Sequence, residues 1–476
     1  MENFLLSLLY ILEANIALFI CQLFTLIVVL KLIVDKKSAS NILAWLLAIL
    51  FIPYVAIPFF LIFQRKDKRK FWQKEVMSIR QYPLEHICID KDLACRDLPM
   101  NVINVFNSLK LPTLTARNSF EIYTDGVKSF NAFIEAINTA QVNVYIQTYV
   151  FKNDTTSKLV IQALEKKASQ GVEIKMLVDS LGSFYTYRHN KRIFRNLRKL
   201  GAEVVFFMPL LSNPLRNYVN YRNHRKIYII DNSTAFSGGM NIGDEYMSPI
   251  EHEGMWEDLL FKIQGESIAY YLKVFSSDWH FATNQQLKFE VKNITQEETF
   301  VQVIPSGPDM QSDQLYCGLI TAINSAKEKL WIITPYLIPS ADLFQSIILA
   351  KRRGVDVKVI TPRNSNHKIV DRARASYIRD LLSCDVDVYF TEIMIHAKAV
   401  LVDNNLAMIG SVNLDNRSLF LNYEVATFIY SSKQVDKLYA WAERILKESN
   451  QDTSHMSTKR TSLFAESILK ILSPLM

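Results

Sequence analysis

One short pattern occurs twice in this chain, and no other feature constrains the fold as strongly. The first copy consists of His224, Lys226, Asp231, Gly238 and Asn241. The second copy consists of His396, Lys398, Asp403, Gly410 and Asn413, each 172 residues later. Because five residue types recur in register, coincidence is a poor explanation, and we expect two related halves.

Each half also repeats the same order of predicted elements. Residues 142–180 and 329–361 both contain a strand, a helix ended by glycine and a second strand. A further helix and strand follow at 193–207 and 377–390. This order is typical of parallel βαβ units. We therefore predict an α/β fold with two tandem lobes of about 200 residues each, packed face to face.

The first seventy residues predict a transmembrane helical hairpin. From Asn3 to Leu30 the only charged residue is Glu13, and residues 38–64 carry no charge. Both stretches exceed the roughly 20 apolar residues that cross a bilayer, and the chain lacks the basic start of a cleaved signal peptide. We therefore assign residues 1–70 to two transmembrane helices with a basic flank, 71–290 to the first lobe and 291–476 to the second.

Positive charge is concentrated in the flank of that hairpin. The formal net charge is +7, of which residues 65–70 (RKDKRK) contribute +4. Such a flank favours a cytoplasmic location for the lobes and attracts anionic lipid headgroups. The nearly balanced remainder disfavours a nucleic-acid-binding protein. One basic stretch remains between Arg188 and Lys226, which is either a solvated helix face or a surface that meets anionic lipid.

The doubled pattern suits phosphoryl transfer. Side chains at i and i+2 of a strand share a face, so His224 projects with Lys226 and His396 with Lys398. Asp231 and Asp403 fall on the opposite parity at the strand ends, where positioning or charge balance is the more natural role. The glycines allow the two asparagines to approach the same pocket as donors. Two imidazoles, two ammonium groups and two amides would together stabilise a phosphoryl group.

This set of residues requires neither a metal nor a cofactor. Lysine is not a metal ligand, and no glycine-rich phosphate loop ending in Lys-Ser/Thr occurs. The cysteines are odd in number and lack CxxC spacing, so we interpret all five as ordinary thiols: Cys21, Cys88, Cys95, Cys317 and Cys384. One histidine can attack the phosphorus of a phosphodiester while the other protonates the leaving alcohol and deprotonates the incoming one. The sequence thus predicts a phosphohistidine intermediate.

The doubled HxKxxxxD pattern resembles the phospholipase D superfamily. The segments YRNHRKIYIID, FSGGMNIGDEY, IPSGPD, TPYLIPS and GSVNLDNRSLFLNYE narrow the resemblance to bacterial cardiolipin synthases, over nearly the whole chain. The resemblance implies two lobes that share one active site at a bacterial cell membrane. It also implies that one phosphatidylglycerol donates its phosphatidyl group to a second, giving cardiolipin and glycerol.

The resemblance also implies roles for individual residues. His224 would be the nucleophile and His396 the general acid and base, although the sequence does not decide which histidine attacks. The substrate-binding positions would be Lys226, Lys398, Asn241, Asn413, Gly239 and Ser411. For the carboxylate that orients each imidazole, we expect Glu424 for His396 and Asp258 for His224, with Glu253 as the alternative to Asp258. The remaining histidines, including His367, lack the pattern and are interpreted as non-catalytic.

Other interpretations stay open at this point. A hydrolase of the same superfamily would use water or another alcohol as acceptor, and a catalytically silent membrane scaffold would not need both motifs intact. Two glycines usual in such synthases are missing, one in the segment Asp154-Thr155-Thr156 and one at Phe63-Gln64, which affects the expected loop geometry only. The amphipathic tail Leu463–Met476 is either a packed or an interfacial helix. The expected partners are phosphatidylglycerol and an anionic bilayer, and the oligomeric state is undetermined.

Overall fold

The protein is described here by a computed structural model. The structure describes residues 98–109, 112–209, 221–291, 295–310 and 313–454, together with 22–30, 39–52 and a few isolated positions. The chain divides into two compact units, Met1–Lys68 and Arg69–Met476.

The first unit contains helix α1 (Ala39–Phe51) and a helical stretch at residues 22–30. Val28, Ile49 and Ala56 are buried together. Among the residues that the structure describes, no helix is long and apolar enough to span a membrane. Most of the predicted hairpin, its basic flank and the tail Leu463–Met476 lie outside the described residues. The hairpin therefore stays a prediction that the structure does not support.

The second unit alternates strands and helices along its described length. Its helices are α2 (Met100–Ser108), α3 (Gly126–Thr139), α4 (Thr155–Ser169), α5 (Phe184–Arg188), α6 (Asn190–Ile193), α7 (Arg195–Lys199), α8 (Ile268–Thr283), α9 (Gln314–Ser325), α10 (Ala341–Arg352), α11 (Lys368–Leu382), α12 (Asn416–Phe420) and α13 (Ser432–Lys447). Its strands are β1 (Thr115–Tyr123), β2 (Asn143–Thr148), β3 (Glu173–Asp179), β4 (Glu203–Phe207), β5 (Ile227–Ile230), β6 (Thr234–Gly238), β7 (Leu260–Gly265), β8 (Glu298–Ser306), β9 (Lys329–Ile333), β10 (Leu337–Ile338), β11 (Asp356–Pro362), β12 (Asp387–Thr391), β13 (Ala399–Val402), β14 (Leu406–Gly410), β15 (Leu414–Asp415) and β16 (Glu424–Ile429).

Fourteen of these strands form one continuous sheet in the order β12-β11-β9-β13-β14-β16-β8-β1-β7-β6-β5-β2-β3-β4. The antiparallel pair β1 and β8 lies at its centre. From that pair outward, the order of strands in the first half matches the order in the second. The tandem α/β lobes are thus confirmed. The lobes are joined edge to edge through β1 and β8, however, and are not two separate sheets packed face to face as expected.

The same hydrophobic cluster covers one side of both lobes. It includes Ile227 and Ile229 of β5 together with Ala399 and Leu401 of β13, and helices α8 and α13 contribute to it. The alternating residues of β5, such as Tyr228, face a second cluster on the other side of the sheet. Strands buried on both faces are held rigidly. The two histidine motifs are therefore fixed to one shared core.

Candidate active site

Main-chain hydrogen bonds bring the two histidines together where β5 and β13 begin. The backbone N–H of His224 donates to the carbonyl oxygen of Tyr423, in the other lobe, at 2.9 Å. The backbone N–H of His396 donates to the carbonyl oxygen of Glu257 at 2.7 Å, again across the lobes. Both contacts belong to short parallel bridges. Each histidine is thus hydrogen-bonded to the residue that directly precedes a carboxylate of the opposite lobe, Glu424 or Asp258.

As a result, each imidazole is paired with a carboxylate from the other lobe. Nδ1 of His224 lies 3.0 Å from the Glu424 carboxylate, and Nδ1 of His396 lies 2.7 Å from Oδ2 of Asp258. All four side chains are buried. The pairing expected from sequence, within each lobe, is therefore wrong. The alternative residue Glu253 is exposed.

Gly239 and Ser411 lie against these carboxylates. A Cβ atom on Gly239 would lie 2.0 Å from Oδ1 of Asp258, so only glycine leaves room for that carboxylate. At the equivalent position, the Ser411 hydroxyl donates to Glu424 at 2.5 Å. Neither residue lines the cavity described below. They thus shape and hold the carboxylates behind the histidines, and their expected place in substrate binding stays a prediction.

The two lysines are buried beside the histidines. Nζ of Lys226 donates to the carbonyl oxygen of His224 at 2.7 Å. Nζ of Lys398 lies 2.9 Å from Nδ1 and 3.0 Å from Nε2 of His396 and also contacts its carbonyl oxygen. Within the described part of the chain, neither ammonium has a carboxylate at ion-pairing distance. Burial lowers the pKa of Lys226 to about 7 and that of Lys398 to about 8.

Burial also keeps both imidazoles neutral. It lowers the pKa of His224, and it lowers that of His396 to about 3 with the help of the neighbouring Lys398 ammonium. Burial opposes the charged form of Asp258 and Glu424, but the adjacent histidines and lysines outweigh it and lower the pKa of both carboxyl groups. An ionised carboxylate at Nδ1 places the imidazole proton there, which leaves the lone pair on Nε2.

A cavity of about 750 Å³ opens onto both histidines. Its lining includes His224 and His396 and comes from both lobes. The Tyr149 ring stands edge-on to His224 with centroids 4.9 Å apart, and the Tyr246 ring stands edge-on to His396 at 5.1 Å. Across the ranges that the structure describes, no group of three or more His, Cys, Asp or Glu side chains is arranged to hold a metal ion.

The two asparagines line the cavity but have different hydrogen-bond partners. Oδ1 of Asn241 accepts a hydrogen bond from the backbone N–H of Val150 at 3.0 Å, and its NH₂ group donates to the Tyr246 hydroxyl. Nδ2 of Asn413 instead donates to the Ser418 hydroxyl at 3.3 Å. Oδ1 of Asn413 is buried and has no hydrogen-bond partner among the described residues. The two halves of the site are therefore related but not identical.

The side chains of Asp231 and Asp403 lie away from the cavity that the two histidines line, where they hold neighbouring strands. Asp231 accepts hydrogen bonds of 2.6–3.1 Å from three successive backbone N–H groups at the start of β2. Asp403 does the same at the start of β9, at 2.8–3.1 Å. Each lies five residues beyond its lysine, about 16 Å along an extended strand. Both have positive φ, 53° and 49°, so they turn the chain while fixing the neighbouring strand.

Sequence reasoning missed a set of buried charges around the cavity. Arg222 lines the cavity and pairs with Asp179 at 2.8 Å. Asp415 also lines it, and burial raises the pKa of its carboxyl group to about 6. The sequence did carry a signal for these residues, because the two copies differ there. Met394 stands at the position equivalent to Arg222, and Gly243 stands at the position equivalent to Asp415.

The chain is similar to known proteins over most of its length. A family model described as "Cardiolipin synthase, PLD-like domain" matches residues 133–279 and 319–446. A cardiolipin synthase of Clostridium perfringens (strain SM101 / Type A) is 34% identical over 93% of this chain and 96% of that protein. The major cardiolipin synthase ClsA of Bacillus subtilis (strain 168) is 33% identical over 100% of this chain and 99% of that protein. The solved phosphatidylserine synthase of Haemophilus influenzae Rd KW20 shares the fold, with a TM-score of 0.58 and 15% identity over 78% of this chain and 96% of that one.

Proposed function

The chain belongs to the cardiolipin synthase family of PLD-like proteins, and on that premise we propose that it transfers a phosphatidyl group from one phosphatidylglycerol to another, giving cardiolipin and glycerol. It is a phosphatidyltransferase. One observation supports this function most directly: two neutral, carboxylate-oriented imidazoles, His224 and His396, open onto one cavity beside two buried lysines.

The phosphodiester is proposed to bind between the lysines and the asparagines. Because no carboxylate of the described residues lies at ion-pairing distance from the ammonium groups of Lys226 and Lys398, a bound anion would offset part of the electrostatic cost of burying them. Their flexible stems allow each ammonium to turn from the histidine carbonyl oxygen towards a phosphate oxygen. The charge of the bound phosphate would in turn raise the pKa of both lysines and of the histidines.

His224 is proposed as the nucleophile. Its Nε2 has no hydrogen-bond partner among the described residues, whereas Nε2 of His396 lies 3.0 Å from the Lys398 ammonium. Once the negative phosphodiester is bound and raises the pKa of His396, this imidazole takes up a proton from solvent at Nε2. Nε2 of His224 then attacks phosphorus, the bond from phosphorus to the glycerol oxygen breaks, and His396 donates its Nε2 proton to that oxygen. The products of this step are free glycerol and a phosphatidyl group on His224.

The second half of the reaction reverses the proton transfer. Nε2 of His396 removes the proton from a hydroxyl group of the second phosphatidylglycerol, and that oxygen attacks phosphorus. The bond from phosphorus to His224 breaks, and both histidines return to their state in the substrate complex. His396 loses its extra proton to solvent when cardiolipin leaves. Glu424 and Asp258 act by orienting the imidazoles and by stabilising the charge that each acquires.

The membrane attachment of this enzyme is also part of the proposal. We infer that residues 1–64 form the transmembrane hairpin and that residues 65–70 hold the lobes on the cytoplasmic side of a bacterial cell membrane. The length and low charge of the two apolar stretches support this topology, as does the flanking sequence RKDKRK.

Incubation of the purified full chain with phosphatidylglycerol alone, without metal or nucleotide, tests the function. Equimolar cardiolipin and glycerol would support it, whereas phosphatidic acid would indicate a hydrolase that uses water as acceptor. His224→Ala should abolish glycerol release, and His396→Ala should slow it about 10²–10⁴-fold. The substitution Lys433→Ala, at an exposed position in the first turn of α13, serves as the matched control. Unchanged glycerol release in either histidine variant would refute the mechanism.

A further inference from the structure

Two short segments border the cavity, one from each lobe. The first follows β3 and includes the exposed residues Phe184, Tyr185, Arg188, Lys191 and Arg192. The second follows β11 and includes the exposed residues Lys368, Ile369 and Arg372. Leu181 and Gly182, which directly precede the first segment, line the cavity. In the second segment, Ile369 itself lines it. We call these eight residues the rim.

The rim exposes large apolar side chains beside the opening. The exposed fractions are 43% for Phe184, 53% for Tyr185 and 62% for Ile369. Solvent-exposed apolar groups gathered at one place indicate a surface that is covered during function. A tyrosine presents an apolar ring and a polar hydroxyl, a combination that suits the boundary between water and lipid.

The rim is also strongly basic. Residues 180–202 contain six bases and no acid. None of the five rim cations forms an ion pair within the part of the chain that the structure describes. In the second segment, Asp371 is engaged by Arg374 at 2.9 Å and by the backbone N–H of Ser365 at 3.0 Å. The charge of the rim is thus available to an anionic partner.

We propose that the rim is the surface by which the lobes lie on an anionic lipid bilayer. The aromatic and isoleucine side chains insert among the headgroups, and the bases contact lipid phosphates. The opening of the cavity then meets the substrate without the acyl chains crossing water. An aliphatic side chain at the opening, Ile369, fits lipid better than the stacked bases of a nucleic acid. This inference rests on the proposed function, because a lipid substrate is what requires the opening to face a bilayer.

Charge reversal on the rim gives the first test. The full chain carrying Arg188→Glu, Lys191→Glu and Arg192→Glu is compared with a control carrying Lys327→Glu, Lys433→Glu and Lys437→Glu. The control lysines are also exposed. The backbone N–H of Lys327 donates to Asp403, at the opposite end of β13, and Lys433 and Lys437 lie in the first turns of α13, which follows the end of β16 on that side of the sheet. Cardiolipin formation is measured in phosphatidylcholine vesicles and in micelles of a neutral detergent. The mole fraction of phosphatidylglycerol is the same in both.

The rim variant should lose about tenfold or more of its rate on vesicles, since each basic residue at a membrane surface contributes several-fold to binding. It should keep its rate within about twofold in micelles, and the control should keep both rates. An equal loss in both media, or none on vesicles, would overturn the proposal. Absence of cardiolipin from the unmodified protein in micelles would instead refute the proposed function.

Insertion is tested separately from activity. Tyr185→Trp should add fluorescence that is quenched by phospholipids with brominated acyl chains in vesicles containing anionic lipid. Lys433→Trp, at the far end, should add fluorescence that is not quenched. Equal quenching at the two positions, or none at position 185, would refute the docking surface whatever reaction the enzyme catalyses.

Discussion

The two histidines occupy equivalent places in the sheet but have different surroundings. Behind His224, the segment Asn223 to Arg225 belongs to a buried polar network, whereas the residues flanking His396, Ile395 and Ala397, belong to the shared hydrophobic cluster. Nε2 of His224 is open to the cavity, while Nε2 of His396 is next to Lys398. A duplicated scaffold has thus acquired two electrostatically distinct imidazoles, as a reaction with one nucleophile and one proton carrier requires.

The polar network explains how the crossed pairing is fixed on the His224 side. Arg225 donates to Asp278 at 2.6 Å and to the carbonyl oxygen of Glu424 at 3.0 Å. Arg225 of the first lobe therefore fixes Glu424 of the second lobe. Glu424 in turn orients His224 of the first lobe. On the other side, Glu257, next to Asp258, accepts a hydrogen bond from Trp441 at 2.7 Å. Both carboxylates are thus fixed through the opposite lobe.

The largest expected difference between the histidines is in the covalent intermediate. After acid-free quenching of a reaction with phosphatidylglycerol labelled at phosphorus, the unmodified protein should carry label on His224. His224→Ala should carry none and should lose about 10⁴-fold or more in rate. His396→Ala should lose about 10²–10⁴-fold yet retain label on His224, because it lacks only the proton carrier. Label on His396 in the His224→Ala variant would reverse the assignment.

The next prediction tests the crossed carboxylates. Glu424→Gln should perturb the Nδ1–H resonance of His224 and leave that of His396 in place, and Asp258→Asn should do the opposite. Each should lower the rate by up to about 10⁴-fold, because the amide no longer holds the imidazole in the tautomer that keeps the lone pair on Nε2. Nuclear magnetic resonance of protein labelled at histidine nitrogens checks the first point, with assignments from the two histidine variants. Perturbation within the same lobe would contradict the pairing.

These contacts also show which parts of the site the sequence could predict. The repeat predicted two lobes, and strand parity brought each histidine together with its lysine, because both depend on local spacing alone. The partner of each imidazole depends on long-range topology, namely the β1 to β8 junction and the bridge between Asn223 and Tyr423. The spacing of residues along one lobe gives no information about that junction. The buried ion pair between Arg222 and Asp179 was not predicted for the same reason, because Asp179 lies in a different strand of the sheet.

The lysines predict how activity depends on pH. Both must be protonated to bind the phosphodiester, and their pKa values are about 7 and about 8. Above these values kcat/KM should fall about tenfold per pH unit for each group that loses its proton. Below pH 6.5 activity should persist, because the lowered pKa of His224 keeps that imidazole neutral.

Lys226→Arg sharpens this prediction, since arginine stays charged at high pH. The alkaline limb of the kcat/KM profile should move upward towards the pKa of Lys398 alone, even if the rate itself is lower. Lys433→Arg, on the exposed face of α13, should leave the profile unchanged. An alkaline limb that is the same in the Lys226→Arg variant would show that a different group controls it.

The smallest effect is expected where the two lobes are alike. Asp231 and Asp403 make the same three backbone contacts, so Asp231→Asn and Asp403→Asn should destabilise the protein to a similar extent. An amide can accept some of these hydrogen bonds but lacks the charge, which predicts a cost of about 1–2 kcal/mol each, measured by denaturant unfolding in detergent. Asparagine tolerates positive φ, so the turn itself is retained. Activity of the folded protein should change less than about twofold, because neither side chain reaches the cavity. A tenfold loss of activity in only one variant would mean that this aspartate belongs to the catalytic site after all, and that the difference between the lobes extends to the far ends of their central strands.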